Sequence, residues 1–152
     1  MTIPFRYLNK CAAAVDALKD YNSMKHILLS YSIDATEIQE HLTSIHTPMP
    51  SWSAPGSINP HGTDGSIARS LDLADFVEDR YHQALEYMAW FQPAWDALSG
   101  DERFILSEFF MSNIKKTEVI AKMSERLNLE RAQIYRQREK AIRRLALLLY
   151  GK

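Results

Sequence analysis

Two amides and a run of cations are spaced along the last third of the chain so that they can share one face of a helix. Gln133, Arg136, Lys140, Arg143 and Arg144 recur so that a wheel of about 100° per residue gathers them opposite Ile134, Ala141, Ile142, Leu145, Leu148 and Leu149. Glutamine makes paired hydrogen bonds to adenine and arginine to guanine, and a duplex major groove admits one such helix. Residues near the amino-terminal end of a groove-bound helix reach base edges, which makes Arg131, Gln133, Arg136 and Gln137 the candidate base readers. Later cations meet the backbone, so Lys140, Arg143 and Arg144 are candidate phosphate contacts. Lys115, Lys116 and the Thr117 hydroxyl, at the start of the preceding helix, are placed to clamp phosphates from the other side. Arg138 projects near the apolar stripe and is expected to snorkel or to pair with an acid.

The charge distribution agrees with this reading. The chain of 152 residues carries a net charge of only −1, yet residues 115–152 hold eleven Lys/Arg against four Glu, a net of +7. Residues 1–114 therefore carry −8. A basic segment joined to an acidic one suits a protein that sets one end on nucleic acid and keeps the other for protein contacts. A solvated charged helix is the plainer alternative.

Three helices must position these side chains. Ser99-Gly100-Asp101-Glu102 has the form of a capping box, and Phe104, Ile105, Phe109 and Phe110 give the helix it starts an apolar side that ends near Ser112-Asn113. A second helix begins around Thr117, turns Val119, Ile120, Met123 and Leu127 inward and stops near Asn128. Leu129 then plugs the core from the turn, and Glu130 caps the third helix. Residues 98–152 thus read as a helix-turn-helix domain.

Helical spacing runs through most of the remainder, so the fold class is all-α. Residues 1–46 form an amino-terminal helical region: a first helix starts after Pro4, with Ala12, Val15, Leu18 and Tyr21 on one side, and Asp34 or Thr36 caps a shorter one. Residues 47–65 hold four of the six prolines and three of the five glycines, which predicts a linker or surface loop, with Trp52 docking on a core. Residues 66–97 are an acidic amphipathic helix with Ile67, Leu71, Ala74, Tyr81, Leu85 and Met88 on one face, lasting until Pro93 bends or stops it. Its face serves the core, and its excess of aromatics (Tyr87, Trp90, Phe91, Trp95) makes a homodimer through residues 66–97 a second reading.

Other chemistry finds little support in the sequence. His26, His41, His46, His61 and His82 lack metal-ligand spacing, and Cys11, inside an apolar helical run, reads as a buried inert thiol. There is no calcium loop and no glycine loop for phosphate, so neither enzyme activity nor a cofactor is expected. One cysteine fits a reducing compartment, and no apolar run approaches the roughly 18 residues of a membrane span. The expectation is a soluble protein of the cytoplasm.

The segment Leu98-Ser99-Gly100-Asp101-Glu102-Arg103-Phe104-Ile105-Leu106, taken with Ile134-Tyr135-Arg136-Gln137-Arg138-Glu139-Lys140-Ala141 and the Leu145-Ala146…Leu149-Tyr150-Gly151 ending, resembles region four of bacterial sigma factors. More narrowly, it looks like the sigma-like domain of phage transcription activators of the ArpU/RinA type. The resemblance covers residues 98–151 and departs at Glu130, where a Ser or Thr cap is customary. It implies a regulator of phage or prophage late genes in a bacterial host cell, with double-stranded DNA as partner and RNA polymerase as a further one. A small terminase subunit binding packaging sites, or a phage module that sequesters a host factor, are the alternatives.

Overall fold

Asn9 opens the first helix, its side-chain oxygen accepting from the Ala12 amide at 3.2 Å and its carbonyl from Ala13 at 2.9 Å. The computed structural model describes residues 9–45 and 60–151. The five helices are α1 (Lys10–Ile45), α2 (Pro60–Asp96), α3 (Gly100–Leu106), α4 (Lys116–Leu127) and α5 (Arg131–Tyr150), with a π turn at Ser107–Met111 following α3. The fold is all-α; no strand occurs among the described residues.

α1 is one helix of 36 residues where two were expected. The reason is local: Thr36 donates its hydroxyl back to the Ser32 carbonyl at 2.7 Å, and Asp34 accepts from the Ser30 hydroxyl at 3.1 Å. Neither side chain turns to cap a new start, so the ladder continues through them. The expected beginning after Pro4 lies outside the described residues, as do Trp52 and most of the proline-rich stretch.

The end of that stretch is helical. α2 begins at Pro60, so residues 60–65 belong to a helix and not to a loop. Proline suits a first helical position, where its missing N–H would have had no partner. Nor does Pro93 stop α2, which runs on to Asp96. An internal proline costs about 3 kcal/mol, and here the burial of Phe91, Ala94 and Leu98 around it offsets that penalty.

The chain divides into two units, residues 1–25 with 86–152 and residues 26–85, and α1 and α2 each contribute to both. The first unit has a dense core of Ala14, Leu18, Phe91, Leu98, Leu106, Ala141, Ile142, Leu145 and Ala146. Within it the Tyr87 hydroxyl donates to the Ala17 carbonyl at 2.5 Å, and burial pushes that phenol's pKa upward. Cys11 is exposed, contrary to the expected buried thiol, because the buried line of α1 runs through Ala14, Ala17 and Leu18.

The second unit is an antiparallel pair of helix segments. His41 Nδ1 meets Ser70 Oγ at 2.9 Å, and Tyr31 stacks on Tyr81 with centroids 3.9 Å apart. The fully covered positions of α2 here are Ser70 and Ala84, while Leu71 and Leu85 remain 51% and 41% exposed. The apolar face read from the sequence is therefore rotated away from the line that α2 gives to α1. Small side chains occupy that line because they allow the close approach of two helices.

Candidate nucleic-acid interface

The capping box at Ser99 is formed as the sequence predicts. Ser99 Oγ accepts from the Glu102 amide at 3.2 Å, and the Ser99 amide donates to Glu102 Oε2 at 2.9 Å. After Leu106 the helix widens into the π turn, which divides two adjacent rings: Phe110 packs with the Leu106–Leu145 cluster and Phe109 with a second one.

That second cluster sets the angle between α4 and α5. Ile105, Val119, Met123 and Ile134 are fully buried, with Phe104, Ile120, Leu127 and Leu129 packed around them. α4 ends on Asn128, whose backbone is left-handed at φ 53°, a conformation that asparagine tolerates better than most residues. Leu129 closes the turn from below, as expected, and Glu130 occupies the cap position of α5. The Glu130 amide donates to Gln133 Oε1 at 3.0 Å.

α5 is held along its length by Ile134, Ala141, Ile142, Leu145 and Ala146, all buried. Leu148, placed inward by the helical wheel, is instead 42% exposed, and Ala146 takes the buried position. On the outward side Gln133, Arg136, Gln137, Lys140 and Arg143 are exposed together. Arg131 is exposed as well, but it stands nine residues, or two and a half turns, before Lys140 and so projects from the opposite side of the helix. Its guanidinium lies 5.8 Å from the Tyr135 ring.

Two arginines of α5 are engaged within the protein. Arg144 pairs with Glu102 at 3.1 Å, joining the last turns of α5 to the cap of α3. Burial opposes ionisation of Glu102, but the Ser99 amide and hydroxyl together with Arg144 outweigh it and hold the carboxyl below the usual glutamate range. A phosphate at Arg144 would compete with this carboxylate. Arg138 behaves as the sequence predicts, pairing with Glu139 at 2.7 Å while its guanidinium stacks 5.0 Å from Tyr135 and 5.1 Å from Phe109.

Lys115, Lys116 and Thr117 are exposed at the start of α4, where Lys115 supplies no side-chain cap. Of the other α4 cations, Lys122 pairs with Glu108 at 2.7 Å and Arg126 stacks 4.0 Å over Phe104. Neither contact is visible in the sequence, since each joins residues from different elements. Beside α5, Ser99, Asp101, Glu102, Gln137, Lys140 and Arg144 help to line a groove of about 460 Å³. Its acids place negative charge along the Gln137–Arg144 flank, so the stripe best suited to a polyanion runs through Gln133, Arg136, Lys140 and Arg143.

Compared with protein-family models, curated proteins and solved structures, the chain matches none. No helix among the described residues is long and apolar enough to cross a membrane.

Proposed function

We propose that this protein is a sequence-specific DNA-binding regulator of transcription, of the phage late-gene type that its carboxy-terminal segment resembles. The reading is carried by one observation: an outward stripe of Gln133, Arg136, Lys140 and Arg143 on a helix packed rigidly behind a left-handed turn at Asn128. α5 lies in the major groove, with Arg136 and Gln133 toward base edges and Lys140 and Arg143 toward phosphates. Because the Gln133 acyl oxygen already accepts from Glu130, its amide N–H groups are the atoms best free for a base, which suits the acceptors of guanine or thymine. Lys115, Lys116 and Thr117 hold the backbone beyond α4. The exposed acids Asp72, Asp75, Asp79 and Glu86 of α2 present a surface for RNA polymerase, and pairing of two copies through residues 66–97 would set two such helices on adjacent half-sites.

Selection of binding sites from randomised duplex DNA, run in parallel on Arg136→Ala, tests this reading. The expected result is an enriched motif that loses definition at one position in the variant, with a loss of roughly 1–3 kcal/mol. Arg143→Ala should weaken all sequences alike and reduce the salt slope by about one. No enrichment at physiological salt would overturn the reading and favour an acidic protein groove as the ligand of α5.

A further inference from the structure

The helix pair of residues 26–85 has two long sides of different chemistry. On one, Asp34, Glu37 and His41 of α1 and Arg69 and Ser70 of α2 line a polar groove of about 480 Å³. The other side is apolar. Continuing around each helix at about 100° per residue, away from the groove and past the line of contact, brings Leu28 and Ala35 of α1 level with Ile67, Leu71, Ala74 and Leu85 of α2. These six are half-buried or exposed, Leu71 and Leu85 being the most open. Among the described residues of α2 on this side the charged one is Glu78, and His82 lies 3.6 Å from it.

We propose that this apolar side is the interface between two copies of the chain, which close a four-helix bundle about a two-fold axis. The inference makes the pairing in the functional reading specific, and it does not depend on whether α5 reads DNA. From Ile67 to Leu85 the face is about 27 Å long at 1.5 Å per residue. Two helices 8–10 Å apart make it about 20 Å wide. The resulting ~500 Å² of projected face is of the order of the ~800 Å² of accessible surface that a stable interface takes from each partner. A two-helix layer needs a second layer to bury such a face, and an identical layer supplies one of matching length. Asp72, Asp75 and Asp79 are exposed on the far side of α2, so two copies meet here without opposing their acidic rows.

Sedimentation of the full chain with helicity followed by circular dichroism tests the proposal. At tens of micromolar the parent should have twice the 17.5 kDa chain mass. The Leu71→Glu, Leu85→Glu pair should sediment as one chain with unchanged helicity. Phe76→Glu, a 55% exposed residue on the groove side, should leave the dimer intact. If the glutamates unfold the helix pair, the Leu71→Ala, Leu85→Ala pair must raise the dimer dissociation constant at least about tenfold at constant helicity. A monomeric parent, or an assembly insensitive to Leu71 and Leu85 but broken by Phe76→Glu, overturns the proposal while leaving DNA reading to the site selection. A dimer that enriches no DNA supports the pairing and removes the DNA reading alone.

Discussion

The two units contain long helices of the same kind but differ in what those helices bury. In residues 1–25 with 86–152, Leu18, Phe91, Leu106, Val119, Met123, Ile134 and Leu145 are wholly enclosed. In residues 26–85 the buried positions are a serine and an alanine, and larger side chains such as Leu29, Ile33, Leu73 and Phe76 are half exposed or more. Helices three or more deep can surround a side chain, whereas two helices in contact cover only one line on each. The unit that carries the cationic stripe is thus the one built to hold its side chains still, which a groove-reading helix requires.

Deleting a core ring should give the largest effect and show whether the contrast is energetic. Phe91→Ala is expected to cost about 3–5 kcal/mol in chemical denaturation, because Phe91 is fully enclosed among Tyr21, Tyr87 and Trp95. A loss under about 1 kcal/mol would mean that the packed unit is no firmer than the other.

Ser99→Ala is the next step down. It removes the cap of α3 and should cost about 1 kcal/mol, and it would also loosen the Glu102 contact with Arg144. The pH dependence follows from the same group. The Glu102 carboxyl titrates lower in the folded chain than the ordinary value of about 4.3, so its contribution is fully present above that value. It is lost as pH falls through the lowered folded value. Thermal melts from about pH 6 to pH 3 should therefore show an acid-side loss that Glu102→Gln reduces, and an unchanged acid limb would separate Glu102 from the effect.

The smallest effect, and the sharpest for the comparison, is in the helix pair. Under conditions that keep the chain monomeric, Leu73→Ala should change stability by less than about 0.5 kcal/mol, since a half-exposed side chain loses little on truncation. Amide exchange should then be faster in residues 26–45 and 60–85 than along α5. Equal protection in both units would contradict the difference in packing.

Much of the candidate site could be read without a structure, because its signals are short in range. The box at Ser99 and Glu102, the break at Asn128-Leu129-Glu130 and most of the buried stripe of α5 depend on residues within a turn or two of one another. The engagement of Arg144 could not be read in that way. Its partner Glu102 lies 42 residues earlier, and no periodicity in α5 distinguishes Arg144 from Arg143.

The sequence by itself determined that the chain is helical, where α3, α4 and α5 begin and end, and that cations share one side of α5. Propensity, capping and spacing act over a few residues and are present in the unfolded chain. Tertiary structure decided that α1 is one helix, that α2 passes through Pro93, that its contact line runs through Ser70 and Ala84, and which cations stay outward. Those outcomes depend on how closely distant segments approach, and the free energy of that approach, through burial and paired charge, exists only once the segments have met.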